Sequence, residues 1–132
     1  MKLFICIDDE GGMAFMGRRV SRDRVVTEDI ATISGDNLAV FQYSERLFRE
    51  AGHSPRVISD RADGCDALFI EDRSPRDYLG KSDTLVIYKW NRLYPSDLKM
   101  DFCPTELGFK LAESVDLVGN SHEKITRETY RK

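Results

Sequence analysis

The chain has 132 residues, 41% hydrophobic and 33% charged, with a formal charge of −3 and a pI near 5.4. That is the length of one domain and the balance of a globular chain, well clear of the disordered class. The acidic balance argues against a nucleic-acid partner, no apolar run is long enough for a membrane span, and three scattered cysteines form no Cys-x-x-Cys pair. These features predict a cytoplasmic protein with reduced thiols and no zinc site. Five apolar residues, Leu3 to Ile7, are too few for a signal segment.

Residues 3–7 read as a buried central strand, and Asp8-Asp9-Glu10-Gly11-Gly12 as the loop that ends it. Ser21 is a suitable N-cap and Gly35 a stop. Between them Val26, Ile30 and Ile33 form the apolar stripe of a first helix, with Asp23 in its first turn. Residues 38–41 predict a second strand. Ser44 caps a short helix with Leu47, Phe48 and Ala51 inward and Gly52 as its end.

Residues 56–59 and 67–70 predict brief strands. Ser74-Pro75 opens a short helix closed by Gly80, with Pro at its first position. Residues 84–88 are the most apolar strand after the first, and residues 109–112 alternate as a half-buried strand. From residue 121 the signals divide: Ser121-His122-Glu123 suits a helix cap, whereas residues 125–131 suit an edge strand. Strands alternating with short helices predict a three-layer, mainly parallel sheet with helices on both faces. Ligands bind at the carboxyl ends of such strands, which selects residues 8–21, 42–44, 71–74 and 89–95.

The opening Phe4-Ile5-Cys6-Ile7-Asp8-Asp9-Glu10-Gly11-Gly12-Met13 resembles the first strand and loop of dihydrofolate reductase. Residues 67–79, Lys81-Ser82-Asp83-Thr84-Leu85-Val86-Ile87-Tyr88, residues 109–114 and residues 125–131 are similar to later segments of that family, in order. The resemblance implies a dihydrofolate reductase-like fold with an antiparallel C-terminal edge, so on this ground the last segment is a strand. It also implies that Asp23 matches the acidic residue that holds a pterin ring.

The chain departs from the family where nucleotide phosphates bind. The family's Gly-Arg-x-Thr cradle is replaced by Gln42-Tyr43-Ser44-Glu45, and its Gly-Gly turn by Ile70-Glu71-Asp72-Arg73. Carboxylates and side chains there oppose a pyrophosphate and block close backbone approach. The family's Pro-Trp in the substrate loop is also absent. The expectation is therefore no bound NADPH. The sequence also resembles a small bacterial family of uncharacterised proteins that carry the label ribonuclease Z. That label implies a His-x-His-x-Asp-His zinc cluster, which His53 and His122 alone do not build.

Four groups of residues are candidates for chemistry. Arg18, Arg19, Arg22 and Arg24 surround the first helix start, an anion site in which Asp23 orients a guanidinium or holds a polar ring; the alternative is a solvated turn. Asp9 and Met13 line the loop after the first strand. Asp8 and Asp9 point to opposite faces and serve either as polar loop residues or as part of a magnesium site with Glu71 or Asp72. Lys89, Trp90 and Asn91 follow the fifth strand, where Trp90 either stacks a planar ligand or covers a core edge. Tyr43 and Ser44 suit a phosphate or a plain cap. His122 suits an acid or base, or an exposed ring beside a turn.

The leading expectation is a reductase-like domain without the usual dinucleotide site. It binds a small planar or anionic molecule between residues 9–23 and 89–91. The alternatives are an NADPH-dependent oxidoreductase with an altered cofactor pose, a protein-interaction domain and a nuclease.

Overall fold

Strand β1 (Lys2–Ile7) is buried at every position after Lys2. A strand covered on both faces needs apolar residues at every position, which is why its sequence does not alternate. The computed structural model describes residues 1–132, and their order after β1 is as follows. Strands β2 (Gly12–Phe15) and β3 (Arg18–Arg19) precede helix α1 (Arg24–Ser34). Strand β4 (Leu38–Phe41) runs directly into helix α2 (Gln42–Glu50). Strands β5 (Arg56–Ile58), β6 (Ala67–Phe69), β7 (Thr84–Lys89), β8 (Leu98–Lys99), β9 (Lys110–Leu117) and β10 (Ile125–Arg131) complete the chain, with short 3₁₀ helices at Gly35–Asn37, Arg76–Lys81 and Pro104–Leu107.

The main sheet has the order β5-β4-β6-β1-β7-β10-β9. Its first five strands are parallel, and β10 runs antiparallel between β7 and β9. Alternation along the strands divides the core in two. Leu3, Ile5 and Ile7 join Phe41, Leu68, Leu85 and Ile87 on one face, covered by Tyr78, Met13 and Phe109. Phe4 and Cys6 join Val40, Phe69, Val86 and Tyr88 on the other, beneath Val26 and Ile30 of α1 and Phe48 of α2. Phe48 meets Phe69 edge-on at 5.5 Å, and burying one such ring is worth roughly 1.5–3 kcal/mol. No helix is long and apolar enough to cross a membrane.

A polar clamp also holds α1 on the sheet. Tyr88 Oη donates to Asp29 Oδ2 at 2.6 Å, and Arg127 Nη1 donates to the same carboxylate at 2.8 Å. Burial, then the Asp29 charge, pushes the Tyr88 phenol well above its usual range. The start of α1 is thereby fixed beside the carboxyl ends of β1 and β7.

Several local expectations need correction. Asp23, not Ser21, caps α1: residues 21–23 are not yet helical, and Asp23 Oδ1 accepts from Val25 N at 2.9 Å. Helix α2 starts at Gln42 straight off β4, so Ser44 lies inside it and caps nothing. Pro75 precedes the 3₁₀ helix rather than opening it. Strand β9 extends to Leu117 and is largely exposed, because it is the outermost strand of the sheet. The segment 8–21 holds a hairpin, β2–β3, turning at Met16 and Gly17 with φ of 51° and 77°. Positive φ at both turn positions suits the twist of a two-residue hairpin, although Met-Gly is not its usual signature. Strand β8 joins β2 to make a second, three-stranded sheet. At the C-terminus the strand, not the helix, is present.

Candidate functional site

The connection between β9 and β10 crosses to the start of α1 and closes on Asp23. That side chain is buried. Its Oδ1 accepts from Val25 N and from Asn120 N at 2.8 Å. Its Oδ2 accepts from Ser121 N at 2.8 Å, Ser121 Oγ at 3.1 Å and His122 Nδ1 at 2.9 Å. Burial alone raises a carboxyl's pKa, but the amides of Asn120 and Ser121 and the His122 ring hold Asp23 well below the usual carboxylate range. The approach is too close for a side chain at Gly119, where a Cβ would lie 2.5 Å from His122 O and 2.7 Å from Asp23 Oδ2.

His122 is buried, contrary to the expectation of an exposed ring. An ionised carboxylate only accepts, so His122 Nδ1 carries the proton shared with Asp23. In the neutral ring Nε2 is then an acceptor. Ser21 Oγ lies 3.0 Å from it and Tyr94 Oη 3.1 Å. The imidazole stacks on Trp90 with centroids 4.8 Å apart and planes inclined by 27°. Tyr94 is held in turn by Asp8, whose Oδ2 accepts from Tyr94 N at 3.0 Å, while its Oδ1 accepts from Gly12 N at 2.6 Å. Trp90 Nε1 is buried and has no acceptor.

A second buried carboxylate, Glu71, stands at the bend after β6. Arg19 grips it with two bonds, Nε at 2.8 Å and Nη2 at 2.9 Å, and Ser44 Oγ donates at 2.6 Å. The Arg19 guanidinium lies 4.7 Å above the Tyr43 ring, and Tyr43 Oη accepts from Arg19 N at 3.0 Å. Asp72 pairs with Arg73, its neighbour.

A cavity of about 270 Å³ opens at the α1 start, lined by Arg22, Asp23, Arg24, Asn120 and Ser121 among others. A narrow recess of about 10 Å³, room for one water at most, is lined by Ser21, Met13, Arg19, Glu71 and Trp90 among others. The two share Arg22, Asp23, Thr27 and Leu47, so they form one cleft with a constricted deep end.

The structure thus gathers Met13, Arg19, Arg22, Asp23, Trp90 and His122 around this cleft, with Tyr43 and Ser44 behind Arg19 and Glu71. It does not bring Asp9, Lys89 and Asn91 there. Those three line a separate hollow of about 340 Å³ with Ile7, Ile87 and Glu128. The period-two alternation of β7 sends Lys89 to the face opposite Tyr88, and Asn91 follows just beyond the strand's end. Lys89 pairs with Glu128, and Asn91 Nδ2 donates to Thr126 Oγ1 at 3.0 Å. Arg18 is exposed on β3. No three His, Cys, Asp or Glu side chains assemble as metal ligands; Asp8 is engaged by loop amides and Glu71 by Arg19.

Sequence reasoning missed Ser21, Tyr94 and the Asn120–Ser121 amides as partners of the site. Ser21 and His122 are 101 positions apart, and only strand pairing brings them together. Asp23 and Ser121-His122 were the visible signal, since buried polar residues beside a glycine mark a crowded turn.

No family model matches this chain, and no curated protein matches it. Among solved structures, dihydrofolate reductase from Enterococcus faecalis in complex with NADP(H) and RAB-propyl superposes with a TM-score of 0.70 at 12% identity, over 98% of this chain and 94% of that one. At that identity the likeness concerns the fold: this chain has the dihydrofolate reductase-like α/β fold.

Proposed function

We propose that this domain binds a small planar or anionic molecule in the cleft at the start of α1, without the dinucleotide-phosphate site usual in reductases of this fold. The observation that carries the reading is the buried, unpaired indole N–H of Trp90. Native proteins seldom leave such a donor without an acceptor. Trp90 lines the deep end of the cleft, and Arg22 and Arg24 line its mouth. A carboxylate or carbonyl oxygen entering between them satisfies the indole, and the two guanidinium groups favour negative charge.

NADPH does not fit the residues present. The bend at which the family has Gly-Gly here carries Glu71, whose carboxylate fills the space between Arg19 and Ser44. The first turn of α2 carries Glu45, bound by Arg49 and Gln42, where the family presents a basic cradle. A pyrophosphate meets bulk at the first position, and at both the nearby arginines are already engaged by carboxylates.

Thermal unfolding with benzoate and with NADPH tests this reading. A ligand that binds only the native state raises its stability, by about 2.7 kcal/mol at one hundred times its Kd. Benzoate is expected to raise the Tm and NADPH to leave it unchanged. Trp90→Phe is expected to weaken benzoate about fivefold, the ratio for one neutral hydrogen bond of about 1 kcal/mol. Stabilisation by NADPH without any by benzoate contradicts the reading.

A further inference from the structure

We infer that Ser21, His122 and Asp23 form a nucleophilic relay that cleaves small carboxylic esters held in the mouth of the cleft, about 270 Å³, with only the carbonyl group entering the narrow deep end. Three independent observations carry this. Ser21 Oγ is 3.0 Å from His122 Nε2, and His122 Nδ1 is 2.9 Å from Asp23 Oδ2. This is the order in which a hydroxyl is activated by a neutral imidazole whose far nitrogen is fixed by a carboxylate. The base is held on every side: Trp90 stacks its face, and Asp23 is itself pinned by Asn120 N and Ser121 N. The nucleophile, in contrast, is only half-buried, and its side chain lines the recess.

The third observation is that Trp90, whose buried Nε1–H has no acceptor, lines the same recess as the nucleophile. Preorganised donors of this kind stabilise the oxyanion of acyl transfer. On this point the inference rests on the binding reading above: the acceptor atom that Trp90 takes is the ester carbonyl oxygen.

The steps balance with water as the only co-reactant. Ser21 Oγ bonds to the carbonyl carbon, its proton passes to Nε2, and the carbonyl π pair moves to oxygen. Collapse of that oxyanion breaks the bond to the leaving oxygen, which takes the proton from Nε2. Water then attacks acyl-Ser21, its proton passes through Nε2 to Ser21 Oγ, and the acid departs. Ser21 and His122 are the catalytic residues; Asp23 is a positioning residue acting through the ring.

The test uses p-nitrophenyl acetate on the intact chain, with acid quench and peptide mapping. The expected result is a burst of p-nitrophenolate with one acetyl group on Ser21, absent in Ser21→Ala. His122→Gln is expected to slow acylation by about 10²–10⁴, the usual share of a general base. Asp23→Asn is expected to lower kcat while leaving KM nearly unchanged. Ser21→Ala removes only a half-exposed hydroxyl, so its near-ultraviolet circular dichroism should match the wild type and keep the result interpretable if the other variants unfold. Acetyl groups confined to other residues, or a Ser21→Ala rate equal to the wild type, overturn the inference. If benzoate still raises the Tm in that case, the binding reading stands without it.

Discussion

Asp23 and Glu71 are both buried carboxylates on the rim of one recess, yet they are neutralised in different ways. Glu71 faces a permanent cation, Arg19, with Ser44 filling its remaining position. The members of that group bond one another, and Arg19 and Glu71 line one end of the recess. Asp23 faces backbone amides and an imidazole. Its partner keeps a second nitrogen, with Ser21 and Tyr94 beside it. One arrangement ends in itself, whereas the other passes polarity onward to the cleft. The difference teaches that a buried charge becomes a lock or a tool according to whether its counter-group has a second functional atom.

Substitutions break this comparison in graded steps. Glu71→Ala strands the Arg19 guanidinium, and loss of one partner from a buried pair typically costs about 3–5 kcal/mol; urea unfolding reads it. Asp23→Asn removes a charged acceptor of several donors and is expected to cost about 2 kcal/mol at neutral pH. The Asp23 effect also depends on pH. Its folded pKa is depressed below the unfolded value of about 3.9, so its contribution is full above about pH 5 and fades as the pH falls through the folded value. The gap between wild type and Asp23→Asn should therefore narrow in acid; a constant gap contradicts the assigned hydrogen bonds. Ser44→Ala is expected to cost about 1 kcal/mol, one hydrogen bond to the same carboxylate. Glu50→Ala breaks the exposed Arg46 pair on α2 and should cost less than about 0.5 kcal/mol, which sets the scale for the others.

Much of the sheet was legible because its signal is local. The uninterrupted run Leu3 to Ile7 announces a strand covered on both faces, and Thr84 to Tyr88 announces its neighbour. Strands β2, β3 and β8 were not legible: they are short, their hairpin turns on Met16 and Gly17 rather than Asn-Gly, and β8 exists only through pairing with β2. The C-terminal strand was half legible: residues 125–131 suit an edge strand, but Ser121-His122-Glu123 imitates a helix start, and family likeness tipped the balance. At the site, Asp23 and Trp90 stood out by type. Ser21 did not, because a serine before a helix reads as a cap, and Glu71 was marked only as a carboxylate at a bend, not as the partner of Arg19. Their partners, His122 and Arg19, lie 101 and 52 positions away, and no periodicity encodes such distances.

Trp90 is the sole tryptophan, so its emission reports on the recess directly. Parallel titrations with benzoate and with NADP⁺ pit the working end of the cleft against the locked end. The account predicts a saturable shift to longer wavelength with benzoate, as the bare indole N–H gains an acceptor, and none with NADP⁺. A saturable response to NADP⁺ with no response to benzoate contradicts it.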